Sequence, residues 1–158
     1  MELEKYLCSE VIALDLASGV KEDAIREISD LLVDVHGLSE PAKILKTLYL
    51  READRSTGIG NGVAIPHART DLVGKIFLAF ARSKKGIEWG SVDGRPVHFI
   101  FLVVGPKKAS QEYLQLLADI SRLMSRAGAR QAIFEAASAD RVLTIVGETR
   151  VRKNRIKA

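Results

Sequence analysis

The chain has 158 residues, 24 Lys and Arg against 20 Asp and Glu, and a net charge of +4. Hydrophobic residues make up 47% of it, enough to bury one sizeable core, which excludes a disordered, collagen-like or disulfide-framework chain. The single cysteine, Cys8, cannot form an internal disulfide, and no apolar run approaches bilayer length, so a cytoplasmic domain without membrane insertion is expected.

Met1 to Lys5 mixes acid and base and leads into no apolar signal core. Val11 to Leu16 reads as a short strand. Ser18 is the expected cap of a helix over roughly Val20 to His36, where Ile25, Ile28, Leu31, Leu32 and Val35 recur at helical spacing. Gly37 is placed to end that helix. Ser39 is the expected cap of a second helix, with Pro41 in its first turn and Ile44, Leu45 and Leu48 on its apolar side. Between Arg55 and His67 glycine is too frequent for a helix: Gly58, Gly60 and Gly62 alternate with Ile59, Asn61 and Val63, a pattern for tight turns and close backbone approach. Val63 to Ile65 forms a short strand leading into Pro66 and His67.

Ile76 to Ala81 is a further strand, and Val97 to Val104 is apolar almost throughout, as suits a strand buried on both faces. Ser91 to Pro96 is a turn cluster between them. Ser110 is the expected cap of a long helix with Tyr113, Leu116, Leu117, Ile120, Leu123 and Met124 in one stripe, interrupted by Gly128. Shorter helices follow around Arg130 to Ala137 and Asp140 to Val146. Strands buried among helices imply an α/β fold: a single domain with a mixed β-sheet and helices packed on both faces. The last nine residues carry Arg150, Arg152, Lys153, Arg155 and Lys157 and no acid; without them 19 basic side chains face 20 acidic ones. The basicity belongs to a tail, 150–158, following a domain over 1–149, and is read as a solvated terminus rather than a nucleic-acid footprint.

Three histidines are available to chemistry. His36 ends a helix, where a cation meets the negative end of the dipole, and a structural role suffices. His98 lies in a strand and can point either way. His67 follows a proline, which stiffens its approach, and comes directly after the glycine-rich run. A neutral imidazole is a nucleophile near pH 7, and Arg51 and Arg69 are near enough in sequence to neutralise an oxyanion or a phosphoryl group. The alternative is a packed histidine at a strand end. No His-x-x-x-His or Cys-x-x-Cys pair offers a metal site, and Gly58-x-Gly60-x-Gly62 has neither dinucleotide-loop spacing nor a P-loop lysine, so no metal and no cofactor is expected.

The run Thr57-Gly58-Ile59-Gly60-Asn61-Gly62-Val63-Ala64-Ile65-Pro66-His67-Ala68-Arg69 resembles the active-site signature of enzyme IIA domains of the fructose–mannitol type, from the bacterial phosphoenolpyruvate-dependent phosphotransferase system. Arg51-Glu52, Gly86 to Trp89, Val92 to Val97 and Tyr113 to Leu117 resemble further stretches of that family. The resemblance implies that His67 accepts a phosphoryl group on Nε2 from HPr or its nitrogen-branch paralogue. It implies that Arg51 stabilises that group and that the backbone of Gly58, Gly60, Asn61 and Gly62 eases the carrier's approach. Thr57 either gives its hydroxyl to the phosphate or bonds its own loop. The chain departs from the family at Tyr113, where a second histidine is common; the phenol either lines the site or belongs to the helix stripe, and its lack of charge weakens onward transfer to a sugar-binding protein. The expected role is a regulatory enzyme IIA of the nitrogen-related branch, signalling through its phosphorylation state to proteins that read it. The alternatives are a sugar-specific enzyme IIA and a binding module of the same fold that carries no phosphate.

Overall fold

A computed structural model describes residues 3–156, with side chains described for residues 3–148. Two 3-10 turns, Leu3–Lys5 and Ser9–Val11, precede β1 (Ile12–Ala13), α1 (Lys21–His36) and α2 (Pro41–Asp54). Then come β2 (Gly58–Gly60), β3 (Val63–Ala64), β4 (His67–Arg69), β5 (Phe77–Ile87) and β6 (Val97–Gly105). The helices α3 (Ser110–Met124), α4 (Ala127–Glu135) and α5 (Ala139–Ile156) complete the chain. The architecture is the expected one: one domain, a mixed sheet and helices on both faces.

The strand order is β1-β5-β6-β3-β2, with β4 also on β6. β6 is the axis: eight of its nine residues are buried, because it has a neighbour on either side and a helix layer on either face. It pairs antiparallel with β5 and parallel with both β3 and β4. Val63 lies opposite Phe99 and His67 opposite Val103, the same offset of 36 positions. β3 and β4 are therefore one line along the same side of β6 in a single register, interrupted at Ile65–Pro66, where the proline has no N–H to donate. The Pro66 carbonyl still accepts from the Val103 N–H at 3.0 Å.

Several boundaries differ from expectation for identifiable reasons. Only Ile12–Ala13 of the first strand pairs, because a 3-10 turn takes Val11. Ser18 does not cap α1; its hydroxyl donates to Glu27 at 2.7 Å, and Glu27 also accepts the Ala17 and Ser18 N–H groups, leaving Val20 at the N-cap. Ser39 and Ser110 are not side-chain caps either: Glu40 and Ala109 hold those positions. Gly37 does end α1, at φ +62°, with Leu38 donating back to Val33. The long helix breaks at Ser125–Arg126, and Gly128 lies inside α4. β5 runs on to Ile87, past the apolar segment, because Arg82 and Ser83 are buried by specific partners. The Arg82 guanidinium donates to the carbonyls of Leu14, Ile133, Phe134 and Ala136, fastening the end of α4 to the sheet. α5 continues through position 150, where the sequence boundary was drawn, and the basic side chains from Arg150 onward lie outside the described ones.

Candidate active site at His67

His67 opens β4 at the sheet edge, half-buried, with α2 packed over it. Its Nδ1 lies 2.7 Å from the Ile65 carbonyl oxygen. A carbonyl can only accept, so Nδ1 carries the proton and the lone pair of the neutral ring resides on Nε2, which makes no hydrogen bond among the described residues. The ring's pKa lies below the ordinary imidazole value. Burial is the main cause and the nearby Arg51 guanidinium adds to it, while the Ile65 carbonyl and the Glu52 carboxylate oppose them. The resting state is thus a neutral imidazole with a defined tautomer and a bare Nε2.

Arg51 sits in the last turn of α2. One of its N–H groups is used to cap the Arg55 carbonyl at 2.8 Å, which fixes the guanidinium at the helix end and leaves other donors free to face an anion. Arg69, two residues along the strand from His67 and so on the same side of it, reaches the Lys107 carbonyl and the Ser110 hydroxyl, and lies 5.6 Å from the centre of the Tyr113 ring. Tyr113 meets the His67 ring edge-on, with centroids 6.1 Å apart. The Tyr113 side chain is 1% exposed, and its hydroxyl has no hydrogen-bond partner. The fold therefore brings His67, Arg51, Arg69 and Tyr113 together.

The glycine run is divided. Gly58 packs on Ser91 so tightly that an added Cβ would lie 2.2 Å from the Ser91 hydroxyl oxygen. Asn61 (φ +56°) and Gly62 (φ +75°) both have positive φ and turn β2 into β3, the Asn-Gly pattern of a tight hairpin. That turn is anchored by Asp93, which accepts the Asn61 N–H at 2.9 Å. Five residue steps of extended chain lead from Gly62 to His67, roughly 16 Å at about 3.3 Å per step. Gly60, Asn61 and Gly62 are accordingly hairpin residues at the end of this line away from His67.

Thr57 bonds to its own surroundings. Its hydroxyl donates to Glu52 at 2.5 Å and accepts the Trp89 indole N–H at 3.2 Å, and its backbone N–H donates to Glu52 at 2.9 Å. Glu52 also pairs with Lys21 at 2.7 Å, and Lys21 reaches the Trp89 carbonyl. Sequence reading did not assign this support. From Glu52 to Thr57, from the Thr57 carbonyl to the Ile65 N–H, and from the Ile65 carbonyl to Nδ1, hydrogen bonds lead without interruption to the His67 ring. A signal for it existed: Ile44, Leu48 and Glu52 follow one another at i+4 on the buried side of α2, and an acid continuing an apolar face needs a buried partner.

Of the other histidines, His36 is exposed at the end of α1 against Phe77, with ring centroids 4.8 Å apart. The His98 Nδ1 lies 2.8 Å from the Ser83 carbonyl, and its ring packs edge-on against Phe134. Among the described residues no cluster of three or more His, Cys, Asp or Glu can hold a metal ion, and no helix is long and apolar enough to cross a membrane.

Residues 5–148 match the family described as "Phosphoenolpyruvate-dependent sugar phosphotransferase system, EIIA 2". The chain is 35% identical over 139 residues to a fructose-specific EIIA component of Haloferax volcanii, covering 88% of this chain and 90% of that protein. It is 34% identical over 148 residues to the fructose-specific EIIABC component of Bacillus subtilis, covering 94% of this chain but only 23% of that longer protein. The crystal structure of nitrogen regulatory protein IIA-Ntr from Neisseria meningitidis superposes with a TM-score of 0.85 at 32% identity, covering 91% of this chain and 98% of that one.

Proposed function

This chain belongs to the EIIA type 2 family of phosphotransfer components, and from that premise we propose that it takes a phosphoryl group onto Nε2 of His67 from an HPr-like carrier and signals through its phosphorylation state, as in the nitrogen-related branch. The observation that carries the reading is the Nδ1–H to Ile65 carbonyl bond, which leaves Nε2 as the nucleophilic atom beside Arg51. In the reaction the Nε2 lone pair forms a bond to phosphorus as the carrier's N–P bond breaks, and that bond's electron pair returns to the carrier's imidazole nitrogen. The proton stays on Nδ1, still donated to the Ile65 carbonyl, whose dipole stabilises the positive charge gained by the ring. Arg51 and Arg69 supply positive charge to the equatorial oxygens, so that positioning and electrostatics account for the rate. The product carries up to about two added negative charges and three acceptor oxygens at an otherwise basic patch, a change large enough for another protein to read.

The test is incubation with phosphoenolpyruvate, enzyme I and either HPr or its nitrogen-branch paralogue. An acid-labile phosphate that is absent from His67→Ala supports the reading. Label that persists in His67→Ala overturns the site, and no label from either carrier favours a binding module.

A second reading has its own observation: the fructose-specific relatives from Haloferax volcanii and Bacillus subtilis are as similar to this chain as IIA-Ntr is. In that reading the His67 phosphoryl group passes to a sugar-transporter subunit. Rapid loss of label to a fructose-type enzyme IIB favours it over the regulatory one.

A further inference from the structure

Tyr113 presents an anomaly that packing does not explain. Its ring fits the space between β4, β6 and the Ile76 side chain so closely that a Cβ on Gly105 would lie 2.8 Å from its Cδ2. Phenylalanine would fill the same space. The hydroxyl nevertheless has no partner, although leaving a buried donor unpaired costs about 1–3 kcal/mol. The surroundings are those of the His67 site. The His67 ring meets the phenol ring edge-on, and the Arg69 and Arg51 charges both act on the phenol, as Arg51 does on His67. Burial raises the phenol's pKa well above its ordinary value, so the group stays protonated and can donate but carries no charge.

Resting on the reading of His67 as the acceptor, we propose that the Tyr113 hydroxyl is the waiting donor for the phosphoryl group on His67 and sets how long that group remains there. In the unphosphorylated protein it lacks an acceptor. Phosphorylation places three charged oxygens beside it, and a hydrogen bond to a phosphoryl oxygen strengthens the ground state of the phosphohistidine. Because the donor is neutral, it holds the group without adding a cation to pull electron density from the N–P bond. The predicted consequence is a long-lived phosphorylated state, as a signal requires.

The experiment compares wild type, Tyr113→Phe and Tyr113→His, each phosphorylated with phosphoenolpyruvate, enzyme I and carrier, freed of donors and followed for loss of label. Tyr113→Phe should keep or raise its thermal midpoint, since it removes a buried, unpartnered hydroxyl, and should lose phosphate about tenfold faster. Tyr113→His should recover part of the lifetime through its N–H. An unchanged lifetime in Tyr113→Phe overturns the inference while leaving His67 in place; absence of label on wild type instead overturns the acceptor reading itself. Wild-type protein gives an independent check through nuclear magnetic resonance. A phenolic proton that becomes slowly exchanging and couples to phosphorus on phosphorylation supports the bond, and one that does neither overturns it.

Discussion

His67 and His98 lie on the neighbouring strands β4 and β6, and each holds Nδ1 against a backbone carbonyl, Ile65 at 2.7 Å and Ser83 at 2.8 Å. Both rings are half-buried. Tautomer control and burial therefore do not distinguish an active histidine from a structural one. The difference lies in what surrounds the rest of the ring. His98 packs edge-on against Phe134, and its Nε2 lies 3.2 Å from where a Cβ on Gly86 would sit. His67 lies beside the Arg51 guanidinium and against the ring of Tyr113, which Arg69 also approaches and whose hydroxyl is unpartnered, and its Nε2 makes no hydrogen bond among the described residues. One end of the β3–β4 line is closed by aromatic packing and a glycine hairpin; the other brings Arg51, Arg69 and Tyr113 around His67.

The largest test of that contrast removes each histidine in turn. His67→Gln should abolish acid-labile labelling, while His98→Gln should leave labelling intact and lower stability by about 1 kcal/mol through loss of its carbonyl bond and ring contacts. Labelling rate and thermal midpoint measured on both variants check this, and equal loss in both would erase the distinction. Arg51→Ala should slow phosphorylation by about a hundredfold, the usual effect of removing one charge-stabilising donor, with a small stability loss from the uncapped Arg55 carbonyl. Single-turnover transfer from the phosphorylated carrier measures it.

Glu52→Gln strips the carboxylate from Lys21 and weakens the Thr57 contacts; a loss of about 2–3 kcal/mol in denaturant unfolding is expected, with a smaller effect on rate. The pH dependence follows from the lowered pKa of His67. The nucleophile is lost only by protonation, so the phosphorylation rate should reach half its plateau below pH 6.5, not above it. Stability has the same sign. Below the unfolded-state value the unfolded chain binds the proton more readily than the folded one, so this group contributes less stability as the pH falls. A rate profile from pH 5 to 8 decides the point. The smallest effect is expected from deleting Val151 to Ala158, which should leave the labelling of His67 unchanged.

What the sequence disclosed, and what it withheld, follows the same division. The apolar run of β6 declared a doubly buried strand, and the Pro66-His67 step at the end of an extended segment marked the candidate acceptor. Helix starts were misplaced because serine capping competes with other partners: Glu27 draws in Ser18, and Ser110 turns to the Lys107 carbonyl. The hairpin at Asn61-Gly62 has a strong local signal, but glycines beside a reactive histidine also suit a loop that admits a partner. Only the parallel register of β3 and β4 on β6 separates the two ends of that segment. The neighbourhood of Tyr113 depends on contacts between α3 and the sheet, 46 residues from His67 in sequence, which spacing alone does not reveal.

The central claim, that a tautomer fixed by Ile65 presents Nε2 of His67 to the donor, is tested most directly by nitrogen-15 and phosphorus-31 spectra of histidine-labelled protein after reaction with phosphoenolpyruvate, enzyme I and carrier. One phosphoryl group bonded to Nε2 of His67, with Nδ1 still protonated before reaction, is the predicted result. Phosphate on Nδ1, or on His36 or His98, would contradict it.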